Sequence, residues 1–193
     1  MICLTSTILG EETKEIEMDT AWLEGQISNL ASGNREALGL IYDCINDSIY
    51  GYALSILGNT QDAEDILQEC FLSLWKSAPT YKKMGKPMAW IFTITRNLCY
   101  MRIRKREKEN LNMPENWEEY INGKENLSQE DRVVIGECIA GLAMEEKEIL
   151  LLHVLGGLKH REIAELMEKP LSTILSKYNR TVKKLRENLR EEN

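Results

Sequence analysis

Breakers and large aromatics are scarce in this chain: 4 prolines and 2 phenylalanines in 193 residues. That leaves room for long helices, and no useful length shows the apolar/polar alternation of a half-buried strand. No run approaches the roughly 18 apolar residues that a membrane-spanning helix needs. The opening Met1-Ile2-Cys3-Leu4-Thr5-Ser6-Thr7-Ile8-Leu9 lacks the basic start and apolar core of a secretory signal, so a cytoplasmic protein without membrane insertion is expected. Histidines number 2, and the five cysteines (Cys3, Cys44, Cys70, Cys99, Cys138) never fall into a Cys-x-x-Cys spacing. A zinc set is therefore not expected, nor any other metal or cofactor. Cys44 and Cys70 fall on apolar helical faces and are expected as buried, reduced thiols. No glycine-rich phosphate loop is present, and Gly156-Gly157 reads as a helix terminus. His160, Arg161 and Glu162 are adjacent, so a helix points them apart, and His153 lacks a cysteine or acid set at ligand spacing. Enzymatic activity is not expected.

The net charge of −7 argues against a protein that simply coats nucleic acid, but charge is unevenly distributed. From Tyr81 to Asn110 nine basic residues face two acidic ones, and from Leu171 to Arg190 six face one. From Arg35 to Trp75 a single arginine faces seven acids. Two basic segments thus alternate with acidic ones.

Residues 1–18 show no sustained periodicity and read as a loose tail, with Met18 as an alternative start. A first domain is expected over residues 19–108. In it Leu38, Ile41, Tyr42, Ile45, Ile49, Tyr52 and Ile56 mark one long helix, ended by Gly58 and Asn59. Asn59 or Thr60 can cap the next helix. That helix carries an apolar stripe of Ala63, Ile66, Leu67, Cys70, Phe71 and Leu74, with Asp62, Asp65, Gln68, Glu69 and Ser73 on the other face. Ser77 to Lys86, with Pro79 and Gly85, reads as a loop, and Pro87 suits the first turn of a following helix that runs to about Lys108. There Trp90, Ile91, Ile94, Leu98 and Met101 cluster on one side. Thr93, Arg96, Asn97, Tyr100 and Arg104 fall on a neighbouring face that is polar, basic and aromatic. Residues 109–128, with Pro114 and Gly123, read as a flexible linker. A second domain over residues 129–193 is expected to hold four helices, roughly Gln129 to Gly141, Glu145 to Leu155, and two more. The fold class is all-α: two small helical bundles joined by the linker.

The last two helices have a distinctive outline. Leu158 to Met167 is a short amphipathic helix, Glu168-Lys169-Pro170 a tight break, and Leu171 to Arg190 a basic amphipathic helix. This is a helix-turn-helix, in which the second helix enters the major groove. Ser172 is the expected N-cap. Ile174, Tyr178, Val182, Leu185 and Leu189 form the inward stripe, and Ser172, Ser176, Asn179, Arg180 and Lys183 the outward one. Hydroxyl and amide groups with basic residues behind them suit contacts to base edges and phosphates.

Gln61 to Trp75 and Pro87 to Asn97 resemble the second region of sigma-70-type transcription initiation factors. The Glu162-Ile163-Ala164 helix and the segment from Ser172 through Lys184-Leu185-Arg186 resemble the fourth. The short length and missing middle domain are similar to the extracytoplasmic-function subgroup, and the resemblance covers about Ala21 to Leu189. Glu168 stands at a turn position where relatives often carry glycine, and Leu175 replaces a common basic residue. The resemblance implies binding to core RNA polymerase through Asp62, Asp65, Gln68 and Glu69. It implies reading of the −10 element by the Ala78–Lys86 loop and by Arg96, Asn97, Tyr100 and Arg104, since an unstacked base can be read by its edge. Reading of the −35 duplex is implied for Ser172, Ser176, Asn179, Arg180 and Lys183. Trp90 lies at an angle that favours core packing over base stacking. An anti-sigma factor is allowed as a further partner. The competing reading is a helix-turn-helix transcriptional regulator whose first domain serves dimerisation or sensing.

Overall fold

A computed structural model describes residues 19–108 and 141–191, with side chains to residue 187; they form two compact units and, within these residues, only helices. The expected tail, the linker and the helix over Gln129 to Gly141 lie outside the described residues, apart from Gly141.

The first unit holds α1 (Thr20–Ala31), α2 (Glu36–Leu57), α3 (Thr60–Ser77) and α4 (Pro87–Lys108). Sequence periodicity had not singled out α1. Asp19 caps it, its carboxylate accepting from the Ala21 and Trp22 amides at 3.0 and 3.1 Å. Leu23, Ile27 and Leu30, spaced along one face, are at most 4% exposed. α2 ends where expected: Gly58 takes a left-handed φ of 62° and its amide bonds the Leu54 carbonyl at 2.8 Å. Asn59 then caps α3 by accepting from the Asp62 amide at 2.8 Å. Ile41, Ile45 and Ile49 of α2 join the α1 side chains, Cys70, Phe71 and Leu74 of α3, and Ile91 of α4 in one continuous core. Each such buried side chain contributes about 2 kcal/mol against exposure to water. The segment after α3 opens with a 3₁₀ turn over Ala78–Thr80, where Ala78 is buried, so the expected loop is ordered at its start.

Two burial expectations are corrected. Cys44 is exposed, one position off the Ile41–Ile45 stripe, while Cys70 and Cys99 are buried. Burial pushes the Cys70 thiol up to about 11, partly offset by its bond to Thr95. The deepest stripe of α4 is Ile91, Phe92, Thr95 and Cys99; Trp90, Ile94 and Leu98 pack at its margin, and Met101 is 60% exposed. The stripe is rotated because Thr95 can be buried: its hydroxyl donates to the Ile91 carbonyl at 3.1 Å and lies 3.3 Å from the Cys70 sulfur. Phe92 meets Tyr52 edge-on at 5.4 Å, which tightens α4 against α2.

The second unit holds α5 (Met144–Val154), α6 (His160–Leu166) and α7 (Leu171–Glu191). α7 packs on both others, with Leu142, Leu150, Val182 and Leu185 at the centre. Gly157, at φ 63°, reverses the chain after α5. The α6 start is fixed by the Glu162 carboxylate, which accepts from the Lys159 amide at 2.8 Å. The turn after α6 places Glu168 at φ 54°, the only non-glycine residue at positive φ among those described. The Lys169 amide closes the turn on the Ala164 carbonyl at 2.9 Å. Ser172 is not the N-cap expected of it: α7 begins at Leu171, and the Pro170 carbonyl accepts from the Thr173 amide at 2.9 Å.

Candidate nucleic-acid interface

The outer face of α7 bears all five residues expected on it. Ser172, Ser176, Asn179, Arg180 and Lys183 are exposed, while Ile174, Val182 and Leu185 are buried and Tyr178 is partly buried on the core. The side chain of Leu189 lies outside the description. Arg180 lies along the helix, its Nε donating to the Ser176 carbonyl at 3.3 Å. The other lysines of α7 turn away from this face. Lys177 pairs with Glu145 at 2.8 Å and Lys184 with Glu146 at 3.0 Å, both on α5. Lys169 also reaches Glu145, at 2.5 Å. The bonds from Lys169 and Lys177 hold the Glu145 carboxyl below its usual range, and Lys184 does the same for Glu146. The basic helix is therefore sorted: part of its charge docks it on α5, and part stays outward.

Behind the turn, His153, His160 and Tyr178 form an aromatic trio. The two imidazoles stack at 4.5 Å, and Tyr178 meets each ring edge-on at 4.9 and 4.5 Å. His153 Nδ1 lies 2.8 Å from the Leu158 carbonyl, and His160 Nε2 is buried with no hydrogen-bond partner among the described residues. Burial and the neighbouring His153 push the His160 pKa down.

In the first unit, Arg96, Asn97, Tyr100 and Arg104 lie along one side of α4. The Arg96 guanidinium sits over the Tyr100 ring at 4.7 Å, and Arg104 Nε donates to the Tyr100 carbonyl at 3.2 Å. Asn97 and Arg104 are exposed, Arg96 and Tyr100 partly so. Such a strip can meet phosphates with its cations and stack a base on its ring. Trp90 is half-buried against the core and meets the Tyr81 ring at 4.7 Å, tilted by 45°.

The acidic face of α3 is less open than its sequence suggests. Arg102 of α4 reaches Asp62 at 2.5 Å, Asp65 at 3.1 Å and Glu69 at 3.3 Å. Arg106 also pairs with Asp62, and it donates to the Leu57 carbonyl at the end of α2 at 3.1 Å. The Asp62 side chain is 13% exposed, so it serves as a tie between helices; Gln68 and Glu69 are exposed. Arg102 and Arg106, counted in sequence with the basic segment, are turned inward toward these acids. Sequence reasoning also passed over Glu24 of α1, whose Oε1 accepts from the Tyr81 hydroxyl at 3.0 Å and the Gly85 amide at 2.9 Å. Its signal was slight: one acid on a short helix, 57 residues before Tyr81. Among the described residues no group of acids, histidines and cysteines is arranged to hold a metal ion, and no helix is long and apolar enough to cross a membrane.

Comparison with known families decides between the competing readings. The sequence profile of sigma-70 region 2 matches residues 41–109, and that of sigma-70 region 4 matches residues 132–185. The chain belongs to the sigma-70 family. Among similar proteins are the ECF RNA polymerase sigma factor SigW of Bacillus subtilis, 27% identical across 88% of this chain and 97% of that one, and the ECF RNA polymerase sigma factor SigK of Mycobacterium ulcerans, 25% identical across 85% of this chain and 91% of that one. Among solved structures, CnrH in complex with the cytosolic domain of CnrY superposes with a TM-score of 0.64 at 18% identity, over 88% of this chain and 98% of that one. The sigma factor RpoE of Bartonella quintana, solved with the anti-sigma factor NepR, gives a TM-score of 0.64 at 20% identity, over 80% of this chain and 98% of that one. Sigma factors are transcription initiation factors, and this chain has both family regions in order. A helix-turn-helix regulator with an unrelated dimerisation or sensor domain does not account for the match to region 2.

Proposed function

We propose that this sigma factor, of the extracytoplasmic-function type, binds core RNA polymerase through α3, reads the −10 element through the first unit and reads the −35 duplex through α7. The observation that carries this reading is the sorting of charge. Arg180 and Lys183 stay exposed on α7 beside Ser172, Ser176 and Asn179, with Lys183 3.7 Å from Glu187 of its own helix. Arg104 is exposed on α4 near Asn97, where Arg96 lies over Tyr100, while Arg102, Arg106, Lys177 and Lys184 pair with acids of neighbouring helices. Cations aimed at solvent beside hydrogen-bonding groups are what phosphate positioning and base readout require. Gln68 and Glu69 form the open part of the polymerase-docking face. Asp62 and Asp65 act there chiefly by holding α3 in place.

The domains follow: residues 19–108 serve polymerase and the −10 element, and residues 129–193 serve the −35 element. Promoter opening draws on binding energy, with no bond-breaking residue. The protein acts in the cytoplasm, where its polymerase and DNA are. Since RpoE of Bartonella quintana was solved with an anti-sigma factor, an anti-sigma protein is the proposed regulator here too.

The test is run-off transcription with purified core polymerase and a promoter library randomised at both elements. The sigma factor should direct specific initiation without any other sigma factor, and Gln68→Lys should weaken its binding to core. A protein that binds duplex promoter DNA alone and ignores core polymerase would overturn this function.

A further inference from the structure

We propose that Glu24, on a helix that bears none of the promoter-reading residues, is a positioning residue that fixes the 81–86 loop and thereby sets selectivity at the −10 element. This rests on the reading above, in which that loop faces the −10 strand.

A single carboxylate oxygen ties down both ends of an arch. Glu24 Oε1 accepts from the Tyr81 side chain at one end and from the Gly85 backbone at the other. Between these two points Lys82, Lys83 and Met84 are exposed, Met84 at 72%. Tyr81 is held a second time, by its ring on Trp90. Gly85 has φ 70°, a left-handed conformation that costs glycine little, and this aims its amide at Glu24. A three-residue span held at both ends cannot sample the backbone range of an open loop, so ordering cost is removed before DNA arrives. The carboxylate also supplies negative charge to a segment that carries Lys82, Lys83 and Lys86. Burial and Glu24 together raise the Tyr81 pKa, so its hydroxyl keeps the proton that it donates. Glu24 is not itself among the residues assigned to DNA; it bonds Tyr81 and Gly85 and acts through the loop.

The experiment uses the full chain with core polymerase on the doubly randomised promoter library, comparing Glu24→Ala, Glu24→Gln, Tyr81→Phe and the double variant Lys82→Ala, Lys83→Ala. Glu24→Ala should reduce discrimination at −10 about tenfold, the scale of one hydrogen bond to a charged acceptor, with −35 preference and core affinity unchanged. Glu24→Gln keeps a carbonyl oxygen with two acceptor sites and should retain discrimination within about twofold. Tyr81→Phe should fall between them. Unchanged −10 discrimination in Glu24→Ala, with the lysine double variant impaired at −10, would overturn the positioning role and leave the loop reading standing. An unimpaired lysine double variant would remove the loop from −10 reading and the positioning role with it. Loss of −10 and −35 preference in equal measure, or a Glu24→Gln variant as weak as the alanine, would also overturn the proposal. The first would mean general unfolding and the second a charge effect without the strap.

Discussion

The two units use opposite charges differently at their working surfaces. In the first, an acidic helix and a basic helix neutralise one another: Arg102 gathers Asp62, Asp65 and Glu69, and Arg106 closes on Asp62. In the second, Lys177 and Lys184 of the basic helix are held by acids of α5, while Arg180 and Lys183 are exposed. Segment charge read from sequence is therefore a poor measure of charge offered to a partner. What matters is which side of the helix each residue occupies, and whether a neighbouring helix brings an opposite charge within reach.

That contrast can be broken first at Arg102. Arg102→Ala leaves Asp62, largely screened from water, with Arg106 as its remaining ion-pair partner. The first unit should lose about 2 kcal/mol of stability, below the full cost for a buried pair because Asp65 and Glu69 are half exposed. Urea unfolding followed by tryptophan fluorescence measures it, since Trp22, Trp75 and Trp90 lie in the first unit. A change under a few tenths of a kcal/mol would mean that the arginine is only a surface decoration.

Next comes Arg180→Ala on the outward side of α7. Transcription that depends on the −35 element should fall about tenfold, the cost of one lost phosphate or base contact, with core binding and thermal stability intact. Lys177→Ala on the inward side should do the reverse, lowering stability modestly while sparing −35 selectivity. Equal effects of the two would erase the distinction between docking and reading cations.

Acidification gives a smaller effect confined to the second unit. The pKa of His160 is held below its ordinary value near 6.5 in the folded state, by burial and by His153. The unfolded chain therefore takes up this proton first as pH falls, and folding stability contributed by the neutral ring is present above about pH 6.5 and declines through the folded value. Circular dichroism melts between about pH 7.5 and 5.5 should show the second unit weakening, and His160→Phe should lose that slope. Glu145 and Glu146 add a separate decline at lower pH, below the ordinary carboxylate value of 4.5, because their folded values are depressed.

The smallest expected change is a gain. Glu168 holds a left-handed backbone that disfavours side chains. Glu168→Gly should relieve it, partly offset by the greater freedom of glycine in the unfolded chain. A net stabilisation of roughly 0.5 kcal/mol is expected, read as a small rise in the melting temperature of the second unit.

Legibility in the sequence followed how local the cause was. The end of α2 depends on Gly58, the start of α3 on Asn59 and the start of α4 on Pro87, so neighbouring residues suffice to place them. The outward side of α7 was legible because its apolar stripe is regular. Thr95 is absent from the expected stripe of α4 because it is polar, while its hydroxyl is satisfied within its own helix. Cys44 misled in the opposite sense, an apolar residue just off the stripe. Arg102 and Glu24 depend on partners 33 to 40 and 57 to 61 residues away, and helical periodicity carries no information about such pairs. The same limit applies to Asp62, which belongs to an acidic face by angle and to an interhelical tie by contact.

The stack of His153, His160 and Tyr178 has a mechanical outcome. It gathers one ring from each of α5, α6 and α7, and so acts as a bearing on which α7 is set. A change in ring size at position 153 or 160 would therefore disturb how α7 seats on α5 and α6 while leaving every residue of its outward face in place.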